Sequence, residues 1–228
     1  MGKQTIQILI GVLGLVIWAM IGCTWDEDPY TSFYENNLGG FADRGGIIIS
    51  EVMWAGSYDD AGTYYPDDDF IEIQNQTEIP VNMSGWYFTF EGVVRKTVVI
   101  PQNPDFILYP DAFFIVANNT NHAFPLTDVL HVALPHLTIP DRYFRITIWS
   151  AYKQLGEPVG ISDQLPMGGS TDGYTARSME RDQDYFTSDG VSVSSWYTYS
   201  ASHTGVHVAE GYRTRTFASP GEPCQSQY

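Results

Sequence analysis

Residues 47–90 read IIISEVMWAGSYDDAGTYYPDDDFIEIQNQTEIPVNMSGWYFTF, and this stretch constrains the fold more than any other part of the chain. Residues 47–54 and 69–75 are short runs of β-branched and aromatic side chains that flank an acidic loop. The Ser84-Gly85-Trp86 turn then opens a third run, to Phe90. Such residues fit a pleated, half-buried surface, and runs this short read as strands. The rest of the chain repeats the pattern, with strand-like runs at 93–100, 106–109, 112–117, 129–133, 143–150, 157–162, 193–199 and 212–217. Glu91-Gly92 reads as a two-residue turn, while Pro101, Pro104, Pro110 and residues 118–121 punctuate other runs. In the 143–149 run, alternation puts Phe144, Ile146 and Ile148 on one face, with Tyr143, Arg145, Thr147 and Trp149 on the other; one is core and the other surface. No segment sustains a helical period. Many short strands at intervals of roughly 8 to 12 residues predict an all-β sandwich or barrel.

Order and spacing carry a resemblance. Ile49-Ser50-Glu51-Val52-Met53-Trp54, then Asp69-Phe70-Ile71-Glu72-Ile73-Gln74-Asn75, then Met83-Ser84-Gly85-Trp86-Tyr87 are similar to the opening of lamin-tail domains. Ser178-Met179-Glu180-Arg181, Trp196 and Ser219-Pro220-Gly221 resemble that family's later segments. The resemblance implies an immunoglobulin-like β-sandwich over residues 46–221, followed by a tail at 222–228. The segment 184–208 is longer than is usual there, and Cys224 stands about where an asparagine often follows Pro-Gly.

Residues 1–22 read as a targeting segment. Lys3 precedes fourteen residues of apolar character and glycine, 8–21, which is shorter than a membrane span requires. Met20-Ile21-Gly22-Cys23 resembles the lipobox of bacterial lipoproteins, which implies acyl chains on Cys23 and anchoring of the chain in the cell envelope, with the outer membrane or cell surface favoured. The alternative is a disulfide between Cys23 and Cys224, the two cysteines of the chain. Residues 23–45 are acidic and poor in aliphatic side chains, and read as a tether with a reach of roughly 25 Å. The competing reading docks Trp25, Tyr30, Phe33, Tyr34 and Phe41 onto the domain.

The chain holds 11 basic and 27 acidic residues, for a net charge of −16. Loss of residues 1–22 takes Lys3 and leaves −17. Nucleic acid needs a cationic surface that displaces counterions, and no run of basic residues is longer than Arg95-Lys96, so nucleic acid and anionic lipid headgroups are both excluded as expected partners.

Candidate chemistry is sparse. Asp59 and Asp60, then Asp67, Asp68 and Asp69, could converge oxygens on Ca²⁺, with Asp59, Asp67 and Asp69 the candidate ligands; the alternative is a solvated acidic loop. Asp69 can also order the start of its strand. Glu51 and Glu72 could form the carboxylate pair of a glycan hydrolase, but the preferred reading joins them with Arg181 in a structural hydrogen-bonded network. His203 and His207 have helical metal-ligand spacing in a segment that Gly205 makes non-helical. Tyr58, Tyr64, Tyr65 and Trp196 are candidate contacts for a protein or glycan ligand, or covers for the sandwich end. The sequence therefore predicts a non-catalytic binding or structural module, with no cofactor unless Ca²⁺ binds. A calcium-dependent surface adhesin is the alternative, and a glycan hydrolase comes last.

Overall fold

The computed structural model describes residues 46–150, 157–159, 166–182, 190 and 192–224. The segments read as a targeting segment and a tether, with Cys23, lie outside the described residues. Ten strands carry the described fold: β1 (Ile47–Met53), β2 (Phe70–Asn75), β3 (Tyr87–Gly92), β4 (Lys96–Val99), β5 (Phe113–Ala117), β6 (Leu130–Ala133), β7 (Phe144–Trp149), β8 (Glu157–Val159), β9 (Met179–Arg181) and β10 (Trp196–Thr198). They form a six-stranded sheet in the order β6-β5-β2-β1-β9-β10 and a four-stranded sheet in the order β8-β7-β3-β4. The chain is thus an all-β sandwich, as the sequence predicts. Pairing is antiparallel except between β5 and β6, which run parallel.

Register decides which side chains share a face. In the small sheet, Phe90 faces Ile146 and Phe88 faces both Ile148 and Val98, and all five are buried. Phe144, Ile146 and Ile148 form the core face, although Thr147 opposite them is also buried. The large sheet departs from one-sided alternation. Every residue of β1 is buried, because both faces of this sheet are covered. One face carries Ile49, Val52, Ile71 and Ile73. The other carries Met53, Phe70, Ile115 and Ala117, packed with Tyr58, Phe124, Leu126, Val208 and Ala218 from the connecting segments. A second apolar layer therefore lies outside the sandwich.

β1 carries a bulge, and two local expectations change. The register between β1 and β2 slips between Ile49 and Glu51, a bulge that removes Glu51 from the face of Ile49 and sets it opposite Glu72. Glu91 and Gly92 belong to β3, pairing with Arg145 and Phe144, so the turn lies at residues 93–95. Val193–Ser195 is a 3-10 turn that precedes β10, and of the 212–217 run Thr216–Phe217 alone is extended, with Glu210–Tyr212 a 3-10 turn.

Candidate functional site

Three carboxylates lie in a row across the centre of the large sheet. Glu51 on β1 is the register partner of Glu72 on β2 and of Glu180 on β9, so the bulge that moved Glu51 aligns all three on one face. They are 2%, 1% and 1% exposed respectively. The closing segment Ser219-Pro220-Gly221 lies over them. Ser219 N donates to Glu51 Oε1 at 3.0 Å, Gly221 N donates to Glu72 Oε2 at 2.6 Å, and Ser50 Oγ donates to Glu72 Oε1 at 2.6 Å. Ser219 Oγ sits 2.6 Å from Glu180 Oε1 and 3.3 Å from Glu51 Oε2.

A hydroxyl has one proton to give, so a hydroxyl bonded to two carboxyl oxygens must accept from one of them. The assignment that satisfies both contacts has Ser219 donating to Glu180 while a neutral Glu51 donates to Ser219. Electrostatics agree. Burial pushes Glu51 well above the usual carboxylate range, and the neighbouring Glu72 and Glu180 push it further. Burial raises Glu72 to about 8, against the opposing effect of its bonds from Ser50 and Gly221. Burial thus favours the protonated forms of Glu51 and Glu72.

Arg181 is not the third member on this face. It follows Glu180 along β9, so alternation turns it to the opposite face, where its guanidinium lies 6.0 Å from the Trp196 ring centroid. Glu180 takes the place that the sequence reading gave to Arg181. Its signal was the motif position next to Arg181, and only the register shows which of the two neighbours joins the row.

The acidic loop disperses its carboxylates. Asp59 accepts from Thr63 N at 2.7 Å and from the Tyr65 hydroxyl at 3.2 Å, and Asp60 accepts from Thr214 N and Oγ1 at 3.1 and 2.6 Å. Asp67 is exposed. Asp68, which the calcium reading left out, is the buried hub: it accepts from Ser57 Oγ, from Asn119 Nδ2 at 3.0 Å and from Ala123 N at 3.2 Å, with His122 Nδ1 at 3.0 Å. Asp69 accepts from Ile139 N at 2.8 Å and so ties the start of β2 to the segment after β6, matching its strand-ordering reading. Burial pushes its carboxyl well above the usual range, and its Oδ1 is buried without a hydrogen-bond partner. Among the described residues no group of three or more His, Cys, Asp or Glu side chains is arranged to hold a metal ion.

The tyrosines of the same loop build an aromatic end. Tyr58 and Tyr64 stack at 4.7 Å, while Tyr65 lies 4.5 Å from His122 and 5.5 Å from Tyr212. Tyr58 is buried and supports the more exposed Tyr64. Arg215 links this loop to the turn that carries Tyr174, with Nε 3.4 Å from Asp60 O and Nη1 3.3 Å from Tyr174 O. Tyr64 and Tyr174 are 44% and 70% exposed, so this end presents two phenolic rings to solvent. Trp196 is no part of it: its ring is buried and Nε1 donates to Gly190 O at 2.9 Å, which makes it a core residue rather than a ligand contact.

No protein-family model matches the chain, and no curated protein matches it. Among solved structures, a DUF4876 family protein from Bacteroides thetaiotaomicron is similar, with a TM-score of 0.42 and 12% sequence identity. The similarity covers 62% of this chain and 64% of that chain, so under two thirds of that protein's length is matched.

Proposed function

We propose that the chain is a non-catalytic binding or structural module of the bacterial cell envelope, held there by acyl chains on Cys23, and that it meets a protein or glycan through its aromatic end. The lamin-tail and lipobox resemblances support the module and its anchor. The observation that carries the binding surface is the pair of exposed rings, Tyr64 and Tyr174, on elements that Arg215 joins. Tyrosine offers rigid contact area with a hydrogen-bonding tip, which suits sugars and protein surfaces alike. The non-catalytic part is supported by the use to which Glu51 and Glu72 are put. Both are buried and bonded to the closing segment, whereas glycoside cleavage needs two carboxylates that flank a substrate bond.

Two measurements test the proposal. Radiolabelled palmitate should enter the chain in bacterial cells and be lost with Cys23→Ala; absence of label in the unaltered chain removes the anchor. For the binding surface, the full chain is incubated with peptidoglycan sacculi and, separately, with immobilised envelope proteins. Retention that survives in Tyr64→Ala/Tyr174→Ala at the level of the unaltered chain excludes this surface. Release of reducing sugar ends from the sacculi would replace the module reading with a hydrolase.

A further inference from the structure

A second surface lies at the turn between β3 and β4. Val93 N donates to Tyr143 O at 2.9 Å, and Gly92 and Glu91 pair with Phe144 and Arg145, so this turn and the residues leading into β7 form one tip. Three apolar side chains project from it: Val93 is 61% exposed, Val94 38% and Tyr143 40%. Tyr143 holds φ 53, a left-handed backbone that costs a residue with a Cβ, and burial of its ring does not offset that cost.

The charge of this tip is opposite to that of the chain. Residues 91–96 and 141–145 contain Arg95, Lys96, Arg142 and Arg145 against Glu91 and Asp141, whereas the whole chain has 11 basic residues against 27 acidic ones. The sequence shows no basic run beyond Arg95-Lys96, and it is the pairing of β3 with β7 that adds two arginines. Lys96 is committed internally, its ammonium donating to His136 O at 3.2 Å and Thr138 O at 2.7 Å. The arginines are less committed. Arg95 is exposed, Arg142 Nε donates to its neighbour Asp141 at 3.4 Å with both side chains at least 60% exposed, and Arg145 Nε is buried without a hydrogen-bond partner.

We infer that this tip rests on an anionic bilayer surface, with Val93, Val94 and Tyr143 entering the headgroup region and Arg95 and Arg142 meeting lipid phosphates. The match is chemical. Aliphatic side chains partition into the boundary between headgroups and acyl chains, tyrosine keeps its hydroxyl at headgroup level, and nearby cations are drawn to anionic lipid. An acidic protein would use the same cations. The apolar residues, however, sit in turns rather than along an edge strand, so they offer an extended peptide no ladder of backbone groups. The inference rests on the anchored reading above to the extent that the acyl chains bring the bilayer within reach. It also reverses, for this one tip, the exclusion of anionic lipid that follows from overall charge.

The test uses the full chain reconstituted in vesicles of phosphatidylcholine alone or mixed with phosphatidylglycerol, with Val94 replaced by an environment-sensitive fluorescent amino acid. The same replacement at Tyr174 is the control. The expected result is a blue shift at position 94 in the mixed vesicles, reversed by high salt and lost in Arg95→Glu/Arg142→Glu, with position 174 unchanged. Val93→Ser should weaken the shift without altering the circular dichroism spectrum. A chain that floats with the vesicles while position 94 reports water in both lipids overturns the tip and leaves the anchor. A chain that shifts on adding mixed vesicles without floating stably overturns the anchor and leaves the tip, and one that does neither overturns both. A shift produced by soluble polyglutamate and not by vesicles reassigns the tip to an acidic protein.

Discussion

The row of buried glutamates makes stability depend on pH in the direction opposite to that of a typical salt-bridged carboxylate. Glu72 has a pKa raised to about 8 in the folded chain against an ordinary 4.5. Below the ordinary value both states are protonated, and the folded state has its full stability. Between the two values the unfolded chain releases its proton while the folded chain keeps it, so stability falls as pH rises, and the loss is complete above about 8. At about 1.4 kcal/mol per unit, the difference amounts to roughly 5 kcal/mol. Glu51 and Asp69, both raised by burial, add in the same direction. Asp59 and Asp172 are lowered by backbone N–H donors and act in the acid range, outside this window. For a domain of this size about 1 kcal/mol corresponds to roughly 2 to 4 °C in melting temperature. The full chain should therefore lose about 10 °C or more between pH 5 and pH 8 in circular dichroism melts. Glu72→Gln isolates the cause, because its amide oxygen can accept from Gly221 N, its NH2 can donate to Ser50 Oγ once that hydroxyl turns its own proton away, and the side chain carries no titratable proton. The variant should melt within about 3 °C of the unaltered chain at pH 5 and well above it at pH 8. A melting temperature that is flat or rising across this range, or a Glu72→Gln variant with the same slope as its parent, would show that the row is not protonated.

Ser219→Ala removes the hydroxyl shared by Glu51 and Glu180 and should cost about 1 to 3 kcal/mol in urea unfolding, with the loss larger at pH 8 than at pH 5. Gly169→Ala and Gly173→Ala share a left-handed backbone but differ in space. A Cβ at Gly169 would lie 2.5 Å from Trp54 Nε1, whereas one at Gly173 meets nothing within 4 Å. The first should destabilise by about 3 kcal/mol and the second by about 1, and equal losses would mean that the Trp54 contact does not limit the site. Addition of millimolar Ca²⁺ or a chelator should leave the melting temperature unchanged, because Asp59 and Asp69 are already bonded to separate protein donors. A rise with Ca²⁺ that is lost in Asp59→Asn/Asp67→Asn would reinstate the loop as a cation site.

The sandwich is legible in the sequence because alternation and turn residues are local signals, and the 144–149 run shows its two faces directly. What depends on non-local contacts is less legible. The bulge after Ile49 adds one residue to β1, and no residue type in Ile49-Ser50-Glu51 announces it, yet it decides that Glu51 faces Glu72. Arg181 is the natural partner of two acids by charge; the partner in the row is a third acid, tolerable because burial favours the protonated forms of Glu51 and Glu72. Trp196 reads as an edge aromatic from its polar neighbours, but the backbone carbonyl of Gly190 satisfies its indole and permits burial. The second apolar layer is equally hidden, since Phe124, Leu126, Val208 and Ala218 come from connecting segments with no periodicity.

Why three acids occupy the middle of a sheet follows from what passes over them. The closing segment leaves its short strand at Thr216–Phe217 and crosses the face of β2, β1 and β9 outside the large sheet. It cannot form a ladder there, because Pro220 has no N–H and the residues below it present side chains rather than backbone. The N–H groups on either side of Pro220 still need acceptors, and a buried donor left unpaired costs about 1 to 3 kcal/mol. Glu51 supplies the acceptor for Ser219 and Glu72 the acceptor for Gly221, so the side-chain row stands in for a missing strand. Leucines in these positions would bury at lower electrostatic cost but leave both N–H groups unsatisfied, and nothing would fix where the segment crosses. Protonation of Glu51 and Glu72 then reconciles the two demands: neutral carboxyls keep oxygen acceptors where the backbone needs them without holding three charges in the core. On this reasoning Glu51→Leu/Glu72→Leu should fold with its strands intact by far-ultraviolet circular dichroism while the Ser219 and Gly221 amides lose hydrogen-exchange protection. Retained protection at both amides would mean that the segment is held by its apolar contacts alone.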